Sequence, residues 1–460
     1  MKNRVFSTEN HFNNTIASFN KLSKNTEIDI AIFGSSHAYT AFNPLMIDKE
    51  CGTTSFNLGS DDLRVPITGL ILKEAQKKIT PKLVILEIYP SSIIWPNNEK
   101  SKGYQLRVFD KISNFSIDKW EIAKKVYNNE ELLGVYFPLF RNHQLWNKNK
   151  YFNLSREEKI DEANTFFYNG YIGKSLKMDT LRSKTFKDFG KKREYSNSDR
   201  VFINSSSEKD IHKLISIAKS ENSKVLVVSA PDIRAKNYWN NTFISDMRRI
   251  CSENNVKYLN MNDFYDQMNL TINDFKDPSH LNIKGAYKAS KFLAEYIKTN
   301  YDFVDNKKIN KNKNDSILKT FINDYIRAKE KYFKEKVNSA FTNNIILDSL
   351  YITKKGFNLE FELSFDKTNF SLEELKKFKL QVKIFPKESD LNLVNRDNIQ
   401  KGWNYDKKDI KIENPFLKYL RFQIPTKINN IKKVEMFLYN KDEYSGPVGN
   451  RIFLNEINFN

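Results

Sequence analysis

Short, almost uninterrupted apolar runs of strand length, separated by helical patterns, constrain this chain more than any other feature. Ile28–Phe33 is apolar apart from Asp29, and Thr53–Asn57, Leu83–Ile88, Val225–Ser229 and Lys257–Asn260 follow it. Between them lie helical stretches. Pro44–Lys49 is short, and Val65–Lys78 sets Ile67, Leu70, Ile71 and Ala75 on one face. Ser205-x-x-Glu208 reads as a capping box opening a helix that turns Ile211, Leu214, Ile215 and Ala218 inward. Ile283–Thr299 closes the series as an amphipathic helix. A strand apolar at every position is buried on both faces, so the pattern predicts a parallel sheet with helices on either side.

At 460 residues the chain exceeds one ordinary core. Residues 1–302 form the predicted α/β domain. Within it, 95–204 is an insertion between the third and fourth strands, rich in aromatic and basic residues such as Trp95, Trp120, Phe140, Tyr151 and Tyr171. Ligand crevices in open parallel sheets lie beyond the carboxyl ends of the strands. An insertion leaving strand three there is placed to roof a site; alternatively it is a helical subdomain packed on itself. Residues 303–339 read as a charged, asparagine-rich linker (303–316) and a helix over 317–337. In 340–460 the period becomes two, as in Phe357, Leu359, Phe361, Leu363 and Phe365, or Phe378, Leu380, Val382 and Ile384. That pattern predicts an antiparallel β-sandwich, with carbohydrate binding or a structural role as its alternatives.

The balance of 75 Lys and Arg against 56 Asp and Glu gives a net charge of +19, a field that favours anionic partners. Acidic glycans, acyl-CoA and phospholipid surfaces, hence peripheral membrane contact, are the readings that fit. The lysines are scattered with no arginine-rich groove, which argues against a specific nucleic-acid partner. Cys51 and Cys251 read as buried free thiols. Met1 to Asn25 holds no apolar signal segment, and no run reaches membrane-spanning length, so the expectation is a cytoplasmic protein without a transmembrane segment.

Two segments carry the chemistry. In Ile30-Ala31-Ile32-Phe33-Gly34-Ser35-Ser36-His37 a buried strand breaks at glycine and presents Ser36 on the turn. In Asp277-Pro278-Ser279-His280 a carboxylate and an imidazole stand three positions apart, ahead of a helix. A serine nucleophile needs a base and the base needs an orienting group, and Ser36, His280 and Asp277 are such a set. The plainer alternative is that Asp277 and Ser279 only cap the helix. His37 is expected to point away from the reaction, since helical neighbours diverge. Asp61, Asp62 and Arg64 follow Gly59 and border a pocket or form a solvated loop. Arg141, His143 and Trp146 cluster in a segment able to face a substrate or to pack. No metal-ligand spacing and no phosphate loop is present, so no metal and no bound cofactor are expected.

These motifs resemble the SGNH (GDSL-type) hydrolase superfamily over roughly residues 28–300, in the variant associated with bacterial surface glycans. Gly34-Ser35-Ser36 resembles the family's nucleophile turn, with serine in place of its usual aspartate. Asp277-x-x-His280 resembles the late acid–base element. Asn57-Leu58-Gly59 resembles the block whose glycine N–H serves the oxyanion hole. The family's Gly-x-Asn-Asp block is missing, and Glu87-Ile88-Tyr89-Pro90-Ser91-Ser92 stands there instead. The resemblance implies a flavodoxin-like three-layer α/β fold and a Ser36–His280–Asp277 triad. It also implies an oxyanion hole from the Ser36 and Gly59 N–H groups, with Tyr89 or Ser91 in the third place.

The expected activity is acyl transfer on carbohydrate O-acyl esters. It is an esterase or deacetylase if water attacks the acyl-enzyme, and a polysaccharide O-acetyltransferase, with acetyl-CoA as donor, if a sugar does. The rival expectation is a non-catalytic glycan-binding or surface-polysaccharide assembly protein on a degenerate SGNH scaffold.

Overall fold

A computed structural model describes residues 11–22, 26–94, 99–113, 116–137, 141, 165–175, 178, 202–235, 239–302, 311–326, 330–342, 345–355, 358–365, 378–387, 403–409, 419–425, 430–440 and 448–457. The chain divides into two compact units, the second beginning at Thr320.

The first unit is built on five parallel strands: β1 (Ile30–Phe33), β2 (Ser55–Asn57), β3 (Leu83–Glu87), β6 (Lys224–Ser229) and β7 (Lys257–Asn260), in the order β2-β1-β3-β6-β7. The order reverses between β1 and β3, and in doubly wound sheets that switch point is where ligands bind. Alternate residues of each strand feed two cores. Ala31, Phe33, Val84, Leu86, Val225 and Val227 face α4 (Val65–Gln76), α8 (Ser205–Lys219) and α9 (Asn241–Glu253). Ile30, Ile32, Leu83, Ile85, Leu226 and Val228 face α3 (Pro44–Cys51) and α10 (Ile283–Asn300). The three layers anticipated from the apolar runs are present.

Three sequence readings need correction. The first turn of α8 is capped by Asn204, whose side chain accepts the Ser207 N–H at 2.8 Å, one residue ahead of the proposed Ser205 box. Within the supposed linker, residues 311–316 belong to a helix, Lys311–Phe321. The helix read over 317–337 runs on only as a π turn, Ile322–Ile326, and Glu330–Ala340 is a strand pairing antiparallel with Ile346–Lys355. Phe333 and Val337, four apart, pack on the second unit's core. A spacing of four fits a helix face and a strand face alike, which is why the pattern misled.

Among the described residues the insertion gives α5 (Glu99–Phe109), α6 (Ile117–Val126), α7 (Asn129–Tyr136) and a hairpin, β4 (Thr165–Tyr168) with β5 (Tyr171–Lys174). Its Asn169-Gly170 turn has φ of 44° and 82°, the paired positive values of a tight hairpin turn. The turn rests on β2: Asn57 N–H donates to the Asn169 carbonyl at 2.8 Å, and the Asn169 carboxamide donates to Ser55 O at 3.1 Å. Of the aromatic and basic residues named in the insertion, His143, Trp146, Trp95, Phe140 and Tyr151 lie outside the described residues.

The second unit is a pair of four-stranded antiparallel sheets around one core. Leu350, Ile352, Phe361 and Leu363 come from one sheet; Leu380, Val382, Val434, Met436 and Ile452 come from the other. This is the sandwich that the period of two predicts. Among the described residues no helix is long and apolar enough to cross a membrane. Cys51 and Cys251 are buried and free.

Candidate active site

Gly34 ends β1 at φ +154°, where a side chain would be strained. A Cβ there would also lie 2.6 Å from the Glu87 Cβ and 2.9 Å from the Glu87 carbonyl oxygen. Glycine thus lets β1 pass against β3 and turn sharply. Ser35 then caps the short helix α2 (Ser36–Ala41), accepting the His37 N–H at 3.2 Å. Ser35 is tied to β3 as well, since its N–H and hydroxyl each donate to Glu87 Oε2 at 2.8 Å. Ser36 therefore stands first in the helix, above the switch point, with its N–H among the donors a helix start leaves unpaired.

On the far side of the sequence, β8 (Phe275–Asp277) and β9 (His280–Leu281) form a minimal hairpin in which Asp277 faces His280. Asp277 Oδ1 accepts from Ser279 N–H at 2.9 Å, Ser279 Oγ at 3.0 Å and His280 N–H at 3.0 Å. The following helix is capped by Asn282, which accepts from Lys284 and Gly285 N–H. The capping alternative for Asp277 and Ser279 is thereby excluded.

The two segments meet. Ser36 Oγ lies 2.8 Å from His280 Nε2, and His280 Nδ1 lies 2.9 and 3.0 Å from the two Asp277 oxygens. Nδ1 facing a carboxylate carries the ring proton, so Nε2 presents its lone pair to the serine hydroxyl. Burial would raise the Asp277 carboxyl, but the His280 bond and charge, with Lys276 and the Ser279 N–H, hold it well below the usual carboxylate range. Burial pulls His280 down to about 4, against the Asp277 hydrogen bond; the charge of His37 adds to the fall. At neutral pH the ring is then an uncharged base.

Other candidates are placed differently from expectation. His37 does not turn away. Its ring stacks on His280, centroids 4.8 Å apart, and on Tyr89 at 3.9 Å. At the head of a helix the first side chains need not splay from the sheet edge, and the 36–37 pair straddles it. The Tyr89 hydroxyl accepts from Arg234 at 2.7 Å, and its own proton is drawn to the Asp232 carboxylate rather than left for an oxyanion. Ser91 sits in a 3₁₀ turn (Pro90–Ile93), where its carbonyl takes a bond from Arg64. Gly59 does lie against the nucleophile turn: a Cβ there would come within 3.0 Å of Ser35 O and 3.1 Å of Ala38 Cβ. Its N–H, however, is bonded to the Asn57 side chain at 3.0 Å. Serving an oxyanion would require that bond to be exchanged.

Arg64 and Arg141 are both engaged by acids within the fold. The Arg64 side chain is 9% exposed, and its guanidinium clasps Asp62 and Ser101, joining the loop after β2 to α5. Arg141 grips Asp110 at 2.9 and 3.2 Å and the Gly134 carbonyl at 3.1 Å. It borders a cavity of about 370 Å³ between α5 and α7, lined by Lys102, Tyr127 and Glu131. Arg64 pairs with its near neighbour Asp62, whereas Arg141 pairs with Asp110, thirty-one positions away.

Three residues, Asp232, Arg234 and Trp239, went unnoticed, and Glu87 was given no role of its own. Glu87 ends an otherwise apolar strand, and Asp232, fully buried, follows β6 within Pro231-Asp232-Ile233-Arg234. Arg234 binds Asp232 and Tyr89, and Trp239 abuts Tyr89 edge-on at 5.8 Å. An acid closing a buried strand and an acid just past a strand's carboxyl end were the signals available. Elsewhere, Glu208, His212 and Glu253 converge on the surface, but Arg249 already bridges the two glutamates at 2.8 and 2.9 Å.

No family description matches this chain, and no curated protein matches it. Among solved structures it is similar to a candidate acylhydrolase from Bacteroides fragilis NCTC 9343, with 11% identity, 65% of this chain and 99% of that chain covered, and a TM-score of 0.30. It is similar also to a gut microbial diltiazem-metabolizing enzyme, with 10% identity, coverage of 92% and 72%, and a TM-score of 0.27. A third is a two-domain esterase active on acetylated mannans, with 10% identity, coverage of 99% and 97%, and a TM-score of 0.25. At these scores the likeness says nothing of substrate.

Proposed function

We propose that this protein is an SGNH-type serine acyl-transfer enzyme acting on carbohydrate O-acyl esters, with an acyl-enzyme formed on Ser36. The observation that carries the reading is the unbroken line Ser36 Oγ, His280 Nε2, His280 Nδ1, Asp277, with links of 2.8 to 3.0 Å. His280 takes the serine proton as Oγ attacks the ester carbonyl and returns it to the departing alkoxide. The Ser36 N–H is the first oxyanion donor and Gly59 N–H the second, once it leaves Asn57. Water completes hydrolysis; a sugar hydroxyl completes O-acyl transfer, with acetyl-CoA as donor.

The carbohydrate assignment draws on the resemblance of the Gly-Ser-Ser-His turn to glycan-associated relatives and on the +19 charge, which suits an acidic polysaccharide. Fluorophosphonate labelling of the wild type, lost in Ser36→Ala, is the test; an unlabelled wild type refutes the reading. Mass spectrometry of acidic glycans with acetyl-CoA then separates the branches. Acetyl gain means transfer, and loss from pre-acetylated glycans means hydrolysis.

One observation favours the rival, a glycan-binding protein on the same scaffold. Both the Gly59 N–H and the Tyr89 hydroxyl are engaged internally, which thins the oxyanion hole. Salt-sensitive glycan binding by a protein that the probe leaves unlabelled would select it.

A further inference from the structure

Behind the line of Ser36, His280 and Asp277 lies a second histidine with its own buried acids. His37 is 6% exposed and held on every side. One ring face meets Tyr89 at an interplanar angle of 14°, and the other meets His280 at 20°. In its own plane, Nδ1 lies 3.0 Å from Ser35 Oγ. That hydroxyl has one hydrogen, and it goes to Glu87 Oε2. Nδ1 must therefore donate, and its proton is fixed there. Nε2 looks at Asp232 Oδ2 from 3.7 Å, beyond a hydrogen bond yet within range of charge.

We propose that His37 is a positioning residue, one that holds the His280 imidazole in the plane it needs between Ser36 and Asp277 and opposes a positive charge on that ring. The proposal rests on the acyl-transfer reading of Ser36. It goes beyond it in assigning a role to a histidine that touches neither substrate nor serine proton.

The charged surroundings are specific. From β3 and the turn after it come Glu87 and Tyr89; from the segment after β6, Asp232 and Arg234; from the β8–β9 hairpin, Lys276, Asp277 and His280; α2 and its cap add Ser36 and Ser35. Two buried acids thus flank His37, while the only charge its stacked neighbour can acquire has the sign His37 itself takes on protonation. Glu87 is already met by the Ser35 N–H and hydroxyl, and Asp232 by Arg234, so neither acid needs His37 as its partner. What a phenylalanine in the same gap would lack is the Nδ1 contact to Ser35 and any capacity for charge beside His280.

The test compares His37→Phe, which keeps a flat ring that cannot be charged, with His37→Ala, which removes the ring. Hydrolysis of p-nitrophenyl acetate is followed across pH. In His37→Phe the acid limb of kcat/KM should move up by roughly one pH unit, the usual size of a lost like-charge neighbour. Its kcat at pH 8 should fall less than that of His37→Ala, and its KM should hold. In His37→Ala kcat should fall about tenfold or more at every pH with KM unchanged, as expected when a base is misaimed. Should His37→Phe fail to fold, His37→Gln, neutral and able to keep the Ser35 bond, takes its place.

The same shift is read without turnover by NMR titration of His280 in a Ser36→Ala background. That measurement separates failure of this proposal from failure of the parent reading: a probe-silent wild type sinks the enzyme, whereas the His280 midpoint still reports on His37. Folded variants with wild-type kcat, acid limb and His280 midpoint overturn the proposal and leave His37 as packing.

Discussion

Asp277→Asn probes the site where its geometry is most demanding. Three donors converge on Oδ1, from Ser279 N–H, Ser279 Oγ and His280 N–H. An asparagine at this position will turn its carbonyl toward them, leaving its NH₂ where Oδ2 now stands. Oδ2 is 3.0 Å from His280 Nδ1. A donor there asks Nδ1 for a lone pair, so the ring proton moves to Nε2 and faces Ser36 Oγ. The base is then blocked although every atom keeps its place. The expected fall in kcat is about 10³- to 10⁴-fold, the scale on which a triad base in the wrong tautomer fails, or about 4–5.5 kcal/mol of barrier. A residual remains because Oδ1 is also within 2.9 Å of Nδ1 and can still hold some of the correct tautomer. Steady-state hydrolysis of p-nitrophenyl acetate measures the fall, and ¹⁵N shifts of His280 report the tautomer directly. A folded variant that loses less than about tenfold, or that keeps the proton on Nδ1, refutes the reasoning.

Wild-type kcat/KM should fall in acid with a midpoint near 4, where burial and then the charge of His37 place His280; a limb at the ordinary value of about 6.5 contradicts it. The same depression has a stability consequence. Between about pH 6.5 and 4 the unfolded chain takes up a proton that folded His280 refuses, so urea stability should decline as pH falls through that window, by up to about 3 kcal/mol. Gly34→Ala should cost about 3 kcal/mol or more and disable the site, because its Cβ would press on Glu87; an unchanged melting temperature would exclude the crowding. Arg141→Ala should destabilise by about 2–3 kcal/mol, by leaving Asp110 unpaired, yet keep small-ester kcat/KM; a selective loss of kcat/KM would restore Arg141 to the site. A chain ending at residue 302 should retain small-ester hydrolysis, and its absence from a folded fragment would show that the second unit contributes to the site.

The parts of this molecule legible in its sequence are those with short-range signatures. Strands buried on both faces announce themselves through composition, so the central sheet could be read strand by strand. Ser36 follows a glycine that β1 needs in order to turn, and Asp277 and His280 share one small hairpin. The Tyr89–His37–His280 stack has no such signature. His37 follows β1, Tyr89 follows its neighbour β3, and His280 opens β9 in a separate hairpin, so the stack joins two adjacent ends of the central sheet to a segment far along the chain. The basic residues misled for a related reason. Arg141 looked available until the fold supplied Asp110, thirty-one positions away. At Glu330–Ala340 the local pattern was ambiguous, and pairing with a neighbouring strand decided it.

The Asn169-Gly170 turn has a bearing on how the protein behaves in crowded solution. β2 is three residues long and borders the sheet, so its outer backbone would be open to pairing with another molecule. The turn takes Asn57 N–H and Ser55 O, the groups a foreign strand would seek. Chain that departs above β3 thus returns to blunt the sheet's own margin, guarding that edge against edge-to-edge association whatever passes over Ser36.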